Sequence, residues 1–202
     1  MPAGPSEVMV LADAGSDPTF VAFDLLSQAE HGPDSQAVLV TTDPDLLPKV
    51  AQEIEHALTT LPRREIIEQS LRHGAAIVVA DIAAAMSVVN SYAPEHLIIQ
   101  LEEPRDVIEQ IQNAGSVFLG PWTPESVGDY CSGTNHVLPT YGFARSYSGL
   151  GVKDFQKFIT LQQLSASGLQ TLAPTVRALA RHEGLDAHAR AVEVRLQNGR
   201  AG

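Results

Sequence analysis

The sequence holds 202 residues, 44% of them hydrophobic and 18% charged. That is enough for one domain with an appendage or two small domains, and too apolar for wholesale disorder. A balance of 13 Lys+Arg against 24 Asp+Glu leaves a net charge of -11; such a chain repels polyanions, so no nucleic-acid and no anionic-membrane partner is expected. The single cysteine, Cys131, excludes an internal disulfide and a cysteine-rich metal knuckle, and the longest clean apolar run, residues 75–80, is far below a membrane span. The opening MPAGPSE lacks the basic and apolar regions of a signal peptide, so the expected setting is reducing and cytoplasmic.

In chain order, residues 7–12 (EVMVLA) read as a buried strand followed by a turn at Asp13-Ala14-Gly15. A helix follows over 18–30, with Asp17 as its N-cap, Pro18 in its first turn and Gly32-Pro33 beyond its end. Residues 37–41 are a second strand; 44–60 and 65–71 are helices; 75–80 (AAIVVA) is a third strand. A helix over 82–92 breaks at Pro94. Then come a strand at 97–100, a helix at 105–111 and a strand at 116–119. Apolar strands alternating with helices define an α/β fold, a Rossmann-like parallel sheet covered by helices. The dinucleotide fingerprint is nevertheless missing: Ala12-Asp13-Ala14-Gly15-Ser16 follows the first strand, Gly149 and Gly151 have Asp154 where a third glycine belongs, and no Walker A sequence is present.

Residues 121–151 are rich in Gly, Ser, Thr, Pro and Tyr and read as a long loop, kept ordered by Trp122 and three tyrosines. Helical patterns return at 155–164, 169–182 and 187–196, punctuated by Gly168 and Gly184. The division expected is an α/β domain over 1–150 that carries the site, and a small helical tail over 151–202. The tail is too short for a core of its own and must pack on the first domain or on another subunit.

Several side chains have the chemistry of a site. Gln28 and His31 are spaced i, i+3 at the end of the first helix, on one face; they read either as a solvated helix end or as a ligand pair. Glu95-His96, after Pro94 and before a strand, sets a carboxylate beside an imidazole, suited to acid–base work near neutrality or to an ordinary turn. Asp129 and His136 flank Cys131-Ser132-Gly133-Thr134-Asn135 and read as metal or substrate ligands, or as parts of a self-bonded loop. Cys131 reads as a small buried filler, since nothing adjacent lowers its pKa. In His182-Glu183-Gly184-Leu185-Asp186-Ala187-His188 the histidines stand six apart around a glycine and cannot share a helix face, unlike HExxH.

Taken together, MPAGPSEV at 1–8, DLLSQAEHGPDSQ at 24–36, APEHL at 93–97, GSVFLGPWTPESVGDYCSGTNHVLPT at 115–140 and HEGLDAHARAV at 182–192 resemble the histidinol dehydrogenases over practically the whole chain. The resemblance implies NAD+-dependent, zinc-requiring oxidation of L-histidinol to L-histidine through L-histidinal, the last steps of histidine biosynthesis. It implies one zinc ion per subunit on Gln28, His31, Asp129 and His188. Ser6, Glu183 and His136 fall on substrate-contacting positions, where the zinc ligands and His96 also meet the substrate; Glu95 and His96 fall on the acid–base pair. It further implies a homodimer whose tail crosses to the partner, delivering Glu183 and His188 to the neighbouring site. Family members are considerably longer. Their additional part lies ahead of position 1 and holds the other Rossmann-like domain with most NAD+ contacts, so no cofactor-binding residue is expected in this chain. A shortened enzyme, one piece of a split enzyme and a non-catalytic short paralogue are the forms this leaves open. A zinc hydrolase built from the same side chains would instead turn over without nicotinamide.

Overall fold

The computed structural model describes residues 2–198. It divides into two units, Met1–Phe155 and Gln156–Gly202. The first unit is built on β1 (Glu7–Ala12), α1 (Pro18–Ala29), β2 (Gln36–Thr41), α2 (Leu46–Ala57), α3 (Arg64–Leu71), β3 (Ala75–Val78), α4 (Ile82–Tyr92), β4 (His96–Gln100), β5 (Ser116–Leu119) and α5 (Glu125–Tyr130). All five strands are parallel, in the order β3-β2-β1-β4-β5. The expected Rossmann-like sheet is therefore present.

The strands are continuously apolar because both faces of the sheet are covered. Along β1, Val8, Val10 and Ala12 face Val21, Ala22 and Leu25 of α1 and Leu46 and Val50 of α2. Met9 and Leu11, one step out of phase, face Ala85, Met86 and Val89 of α4 together with Leu97 and Ile99 of β4. Each valine, leucine, isoleucine or methionine among them, taken fully out of water, contributes about 1.5–3 kcal/mol before its entropy loss is counted. β3 departs from this pattern: its residues are exposed or half-buried, and it is one of the two edge strands of the sheet.

Helix boundaries follow their caps. Asp17 Oδ1 accepts from Thr19 N at 2.8 Å with Pro18 in the first turn of α1, and Asp81 Oδ1 accepts from Ala84 N at 2.8 Å at the start of α4. α4 ends in Ala93, a left-handed residue at φ 59°, a conformation costing a non-glycine residue roughly 1–2 kcal/mol. The turn it makes delivers Glu95 and His96 to the head of β4. Gly115 lies so close beneath that turn that a Cβ there would sit 2.5 Å from the Glu95 carbonyl oxygen.

Three sequence expectations are corrected. Residues 104–110 form a 3-10 helix, Pro104–Gln110, in place of an α-helix. The expected loop contains α5, whose apolar period is hidden by prolines and exposed aromatics. Residues 156–165 carry no regular structure where a helix over 155–164 was expected, and Phe158, Ile159 and Leu161 there are exposed; a short helical pattern with no surface to bury its stripe does not hold a helix in water. The second unit consists of α6 (Ala166–His182) and α7 (Asp186–Asn198), joined at Gly184, whose φ of 73° makes the turn. Ala173, Ala180, Ala189 and Val192 are buried within the pair, and Arg181 meets Glu193 at 2.9 Å. No helix among the described residues is long and apolar enough to cross a membrane.

Candidate functional site

The strand order reverses between β1 and β4, where sheets of this topology usually hold ligands at the carboxyl ends of the strands. In this chain the loops at those strand ends hydrogen-bond to one another. Asp13 accepts from Gly15 N at 3.0 Å and from Glu102 N at 2.9 Å. Ser16 Oγ accepts from Asp13 N at 3.0 Å and donates to the Gln100 carbonyl. A carboxylate thus occupies amide groups of the kind that would receive a phosphate, and these residues do not fit a dinucleotide.

The side chains with acid–base and ligand chemistry gather at the opposite, amino-terminal edge, where β1 and β4 begin and α1 ends. Gln28, in the last turn of α1, is fully buried, and its Oε1 accepts from Ser6 Oγ at 3.4 Å. Ser6 Oγ also lies 2.7 Å from Glu95 Oε2, which in turn accepts from Glu7 N at 2.9 Å. His96 Nδ1 lies 3.1 Å from the Glu7 carbonyl. A carbonyl only accepts, so Nδ1 carries the proton and Nε2 is left as a bare base. His96 Nε2 is buried without a hydrogen-bond partner, 3.9 Å from Asp129 Oδ1. Nδ1 is also 3.6 Å from Glu95 Oε2 and 3.7 Å from Glu125 Oε1. Phe118 of β5 lies under the imidazole with ring centres 6.0 Å apart. On its other side α5 presses so closely that a Cβ on Gly128 would fall 2.5 Å from Phe118 Cε1.

Burial governs the protonation states. It holds the His96 imidazole below its usual range, with the Glu7 carbonyl and the Asp129 charge acting against it. It pushes Glu95 up to about 7 despite the Ser6 and Glu7 hydrogen bonds. Glu125 is pushed up to about 9 by burial and then by the charges of Asp129, Glu95 and Asp24. At neutral pH the pair is therefore an uncharged imidazole beside a carboxyl near half-ionisation, a state suited to proton transfer in either direction.

The structure brings together Ser6, Gln28, His31, Glu95, His96 and Asp129. It adds Glu125, which sequence reasoning missed. Donor atoms of His31, Glu125 and Asp129 all lie within 4.8 Å of one another, close to the spacing that a single divalent ion spans. The signal for Glu125 is its i, i+4 relation to Asp129, which has meaning only once the segment is known to be helical. His136 is exposed on the loop after α5, and Cys131 is exposed as well, not the buried filler expected. Glu183 caps α6 and His188 lies in α7; both belong to the second unit and are exposed.

A parallel α/β sheet bearing an imidazole–carboxylate pair next to a nitrogen-and-oxygen donor cluster defines an enzyme-type site with the ligand chemistry of a divalent metal. Comparison with known proteins identifies which kind. The histidinol dehydrogenase family model matches residues 1–196, and the chain belongs to that family. It is 57% identical over 197 residues to histidinol dehydrogenase of Photobacterium profundum, covering 98% of this chain and 44% of that protein. Against the Salmonella typhimurium enzyme it is 55% identical over 196 residues, covering 97% and 45%. The crystal structure of histidinol dehydrogenase from Elizabethkingia anophelis superposes with a TM-score of 0.91 at 49% identity, covering all of this chain and 46% of that one. A bifunctional histidine-biosynthesis protein of Photorhabdus laumondii matches at 55% identity over 196 residues. The chain thus spans a little under half the length of the histidinol dehydrogenases it matches.

Proposed function

We propose that this chain carries the zinc- and histidinol-binding half of a histidinol dehydrogenase, an oxidoreductase that converts L-histidinol through L-histidinal to L-histidine. The observation that carries the reading is the buried His96, its Nδ1–H fixed on the Glu7 carbonyl and its bare Nε2 next to Asp129 and the ligand cluster. His96 Nε2 takes the proton of the substrate alcohol. Glu95, near half-ionisation, takes a proton from the water that adds to the aldehyde. Ser6 orients the Glu95 carboxylate until substrate arrives.

Zinc is the metal proposed. The donor set of His31, Asp129 and Gln28, with Glu125 beside them, suits a borderline divalent ion, and a cation offsets the repulsion among the crowded carboxylates. Gln28, His31 and Asp129 would hold it, completed by His188. When bound, it supplies a Lewis-acidic anchor for the amine and imidazole nitrogens of histidinol. NAD+ is the hydride acceptor of the proposed reaction, but the crevice at Asp13 does not fit it and no residue of this chain is assigned to it. Residues 151–202 are proposed as a tail that crosses to a second copy in a homodimer and places Glu183 and His188 in the neighbouring site.

The test is metal uptake and NADH formation by the purified chain, alone and with the amino-terminal half of a relative. The expected result is one zinc ion per chain, lost in Asp129→Asn, with histidinol-dependent NADH formation on adding the other half. Zinc uptake with no NADH formation in either case would assign the chain instead to a non-catalytic partner that binds zinc and histidinol. Turnover of a hydrolysable substrate without nicotinamide would overturn the dehydrogenase reading.

A further inference from the structure

We infer that Glu7 is a positioning residue for the Glu95–His96 pair, locked in place by the Tyr92 hydroxyl. This rests on the proposed reading only for what the pair does; the arrangement itself is geometric. Glu7 is the first residue of β1, and its backbone serves both members of the pair: its N–H donates to Glu95 Oε2 at 2.9 Å, and its carbonyl accepts from His96 Nδ1 at 3.1 Å. A backbone group can orient a neighbour only as well as its own position is held. The sheet ladder holds the Glu7 backbone through Gln36 on one side only, and further contacts decide how firmly the rest is fixed.

The side chain of Glu7 supplies such a contact. It is 6% exposed, unusual for a glutamate at a strand end. Its Oε2 accepts from Tyr92 O–H at 3.2 Å, and the same hydroxyl meets Gln36 Oε1, on the β2 residue in register with Glu7. One hydroxyl proton shared between two acceptors links the end of α4 to the starts of β1 and β2. The connections close a ring. From Glu7 the path runs through Tyr92, along the chain through left-handed Ala93 and Pro94 to Glu95, and back from the Glu95 carboxylate to Glu7 N–H.

Glu7 is not itself part of the donor cluster: its side chain lines an open cavity of about 680 Å³ with Gln36, Tyr92, Tyr141 and Arg145. Its other oxygen, Oε1, is buried without a partner. A carboxyl group buried with one oxygen unpartnered, outside the reacting cluster, is explained by what its backbone holds.

The test reads His96 directly, by nitrogen NMR of the imidazole in the metal-free chain with neither histidinol nor NAD+ present. Wild type should show a single tautomer with the proton on Nδ1. Tyr92→Phe deletes one oxygen and opens the ring; a second tautomer, protonated on Nε2, should appear, and more of it in Glu7→Ala. Glu7→Gln, whose amide can still meet the Tyr92 hydroxyl, should keep the single wild-type form. A general loosening of the strand would lower the unfolding midpoint of the Tyr92 and Glu7 variants without changing the tautomer of the folded protein. An unchanged imidazole spectrum in Tyr92→Phe overturns the inference, whether or not Glu7→Ala folds. Because no turnover is read, a chain that oxidises nothing still answers the question.

Discussion

Asp24 offers a measurement of how strongly this fold resists buried charge. It lies on α1 one turn before Gln28, is 5% exposed, and accepts from Gln100 Nε2 at 2.8 Å. Burial outweighs that hydrogen bond and pushes its pKa from 3.8 up to about 6. A carboxyl whose pKa folding raises binds its proton more tightly in the folded chain. The folded state therefore loses ground as pH climbs from the unfolded value through the folded one, and regains it on acidification. Integrating the two titrations gives a penalty of about 1 kcal/mol at pH 4.5 and about 3 kcal/mol at pH 8. Asp24→Asn keeps the shape and an acceptor oxygen for Gln100 while removing the charge. Urea unfolding with a chelator present should find the variant more stable than wild type by about 2–3 kcal/mol at pH 8, shrinking to about 1 kcal/mol or less at pH 4.5. Equal stability at pH 8, or a gain independent of pH, would refute the reasoning.

Two further substitutions test the support of the site. Gly128→Ala sets a methyl 2.5 Å from the Phe118 ring. Overpacking of about 1–3 kcal/mol should then outweigh the roughly 1 kcal/mol gain in helix propensity. Displacement of the neighbouring Asp129 should weaken zinc binding about tenfold by calorimetry, and unchanged affinity would show that α5 does not depend on that contact. Cys131 is exposed, so its thiol should react with a colorimetric reagent in the folded protein, and Cys131→Ala should shift stability by no more than about 0.5 kcal/mol. A large loss of zinc uptake in that variant would place the thiol among the ligands.

Strands were legible where a single cause produced them. The span of β1 agrees with its apolar run, and α4 runs from the residue after its Asp81 cap to the residue before Ala93. The nearness of Gln28 and His31 was legible because it is local, three positions apart where α1 ends. Glu125 was not, because α5 is short, preceded by Pro121 and Pro124, and closed by an exposed Tyr130, so no periodic stripe announced it. The tautomer of His96 was equally out of reach, since it is decided by a backbone carbonyl 89 positions away in the sequence. The segment 156–165 misled for the opposite reason: its apolar spacing is helical, but the spacing alone carries no information about a surface to receive it.

The carboxylate of Asp13, seated on amide hydrogens at the head of the sheet's reversal, amounts to a built-in counterfeit of a nucleotide's phosphate. It takes up amides at the place that this topology conventionally reserves for a coenzyme. Redox chemistry proposed for the far rim would therefore meet its electron carrier elsewhere, and the two ends of the same five strands have been given separate employments.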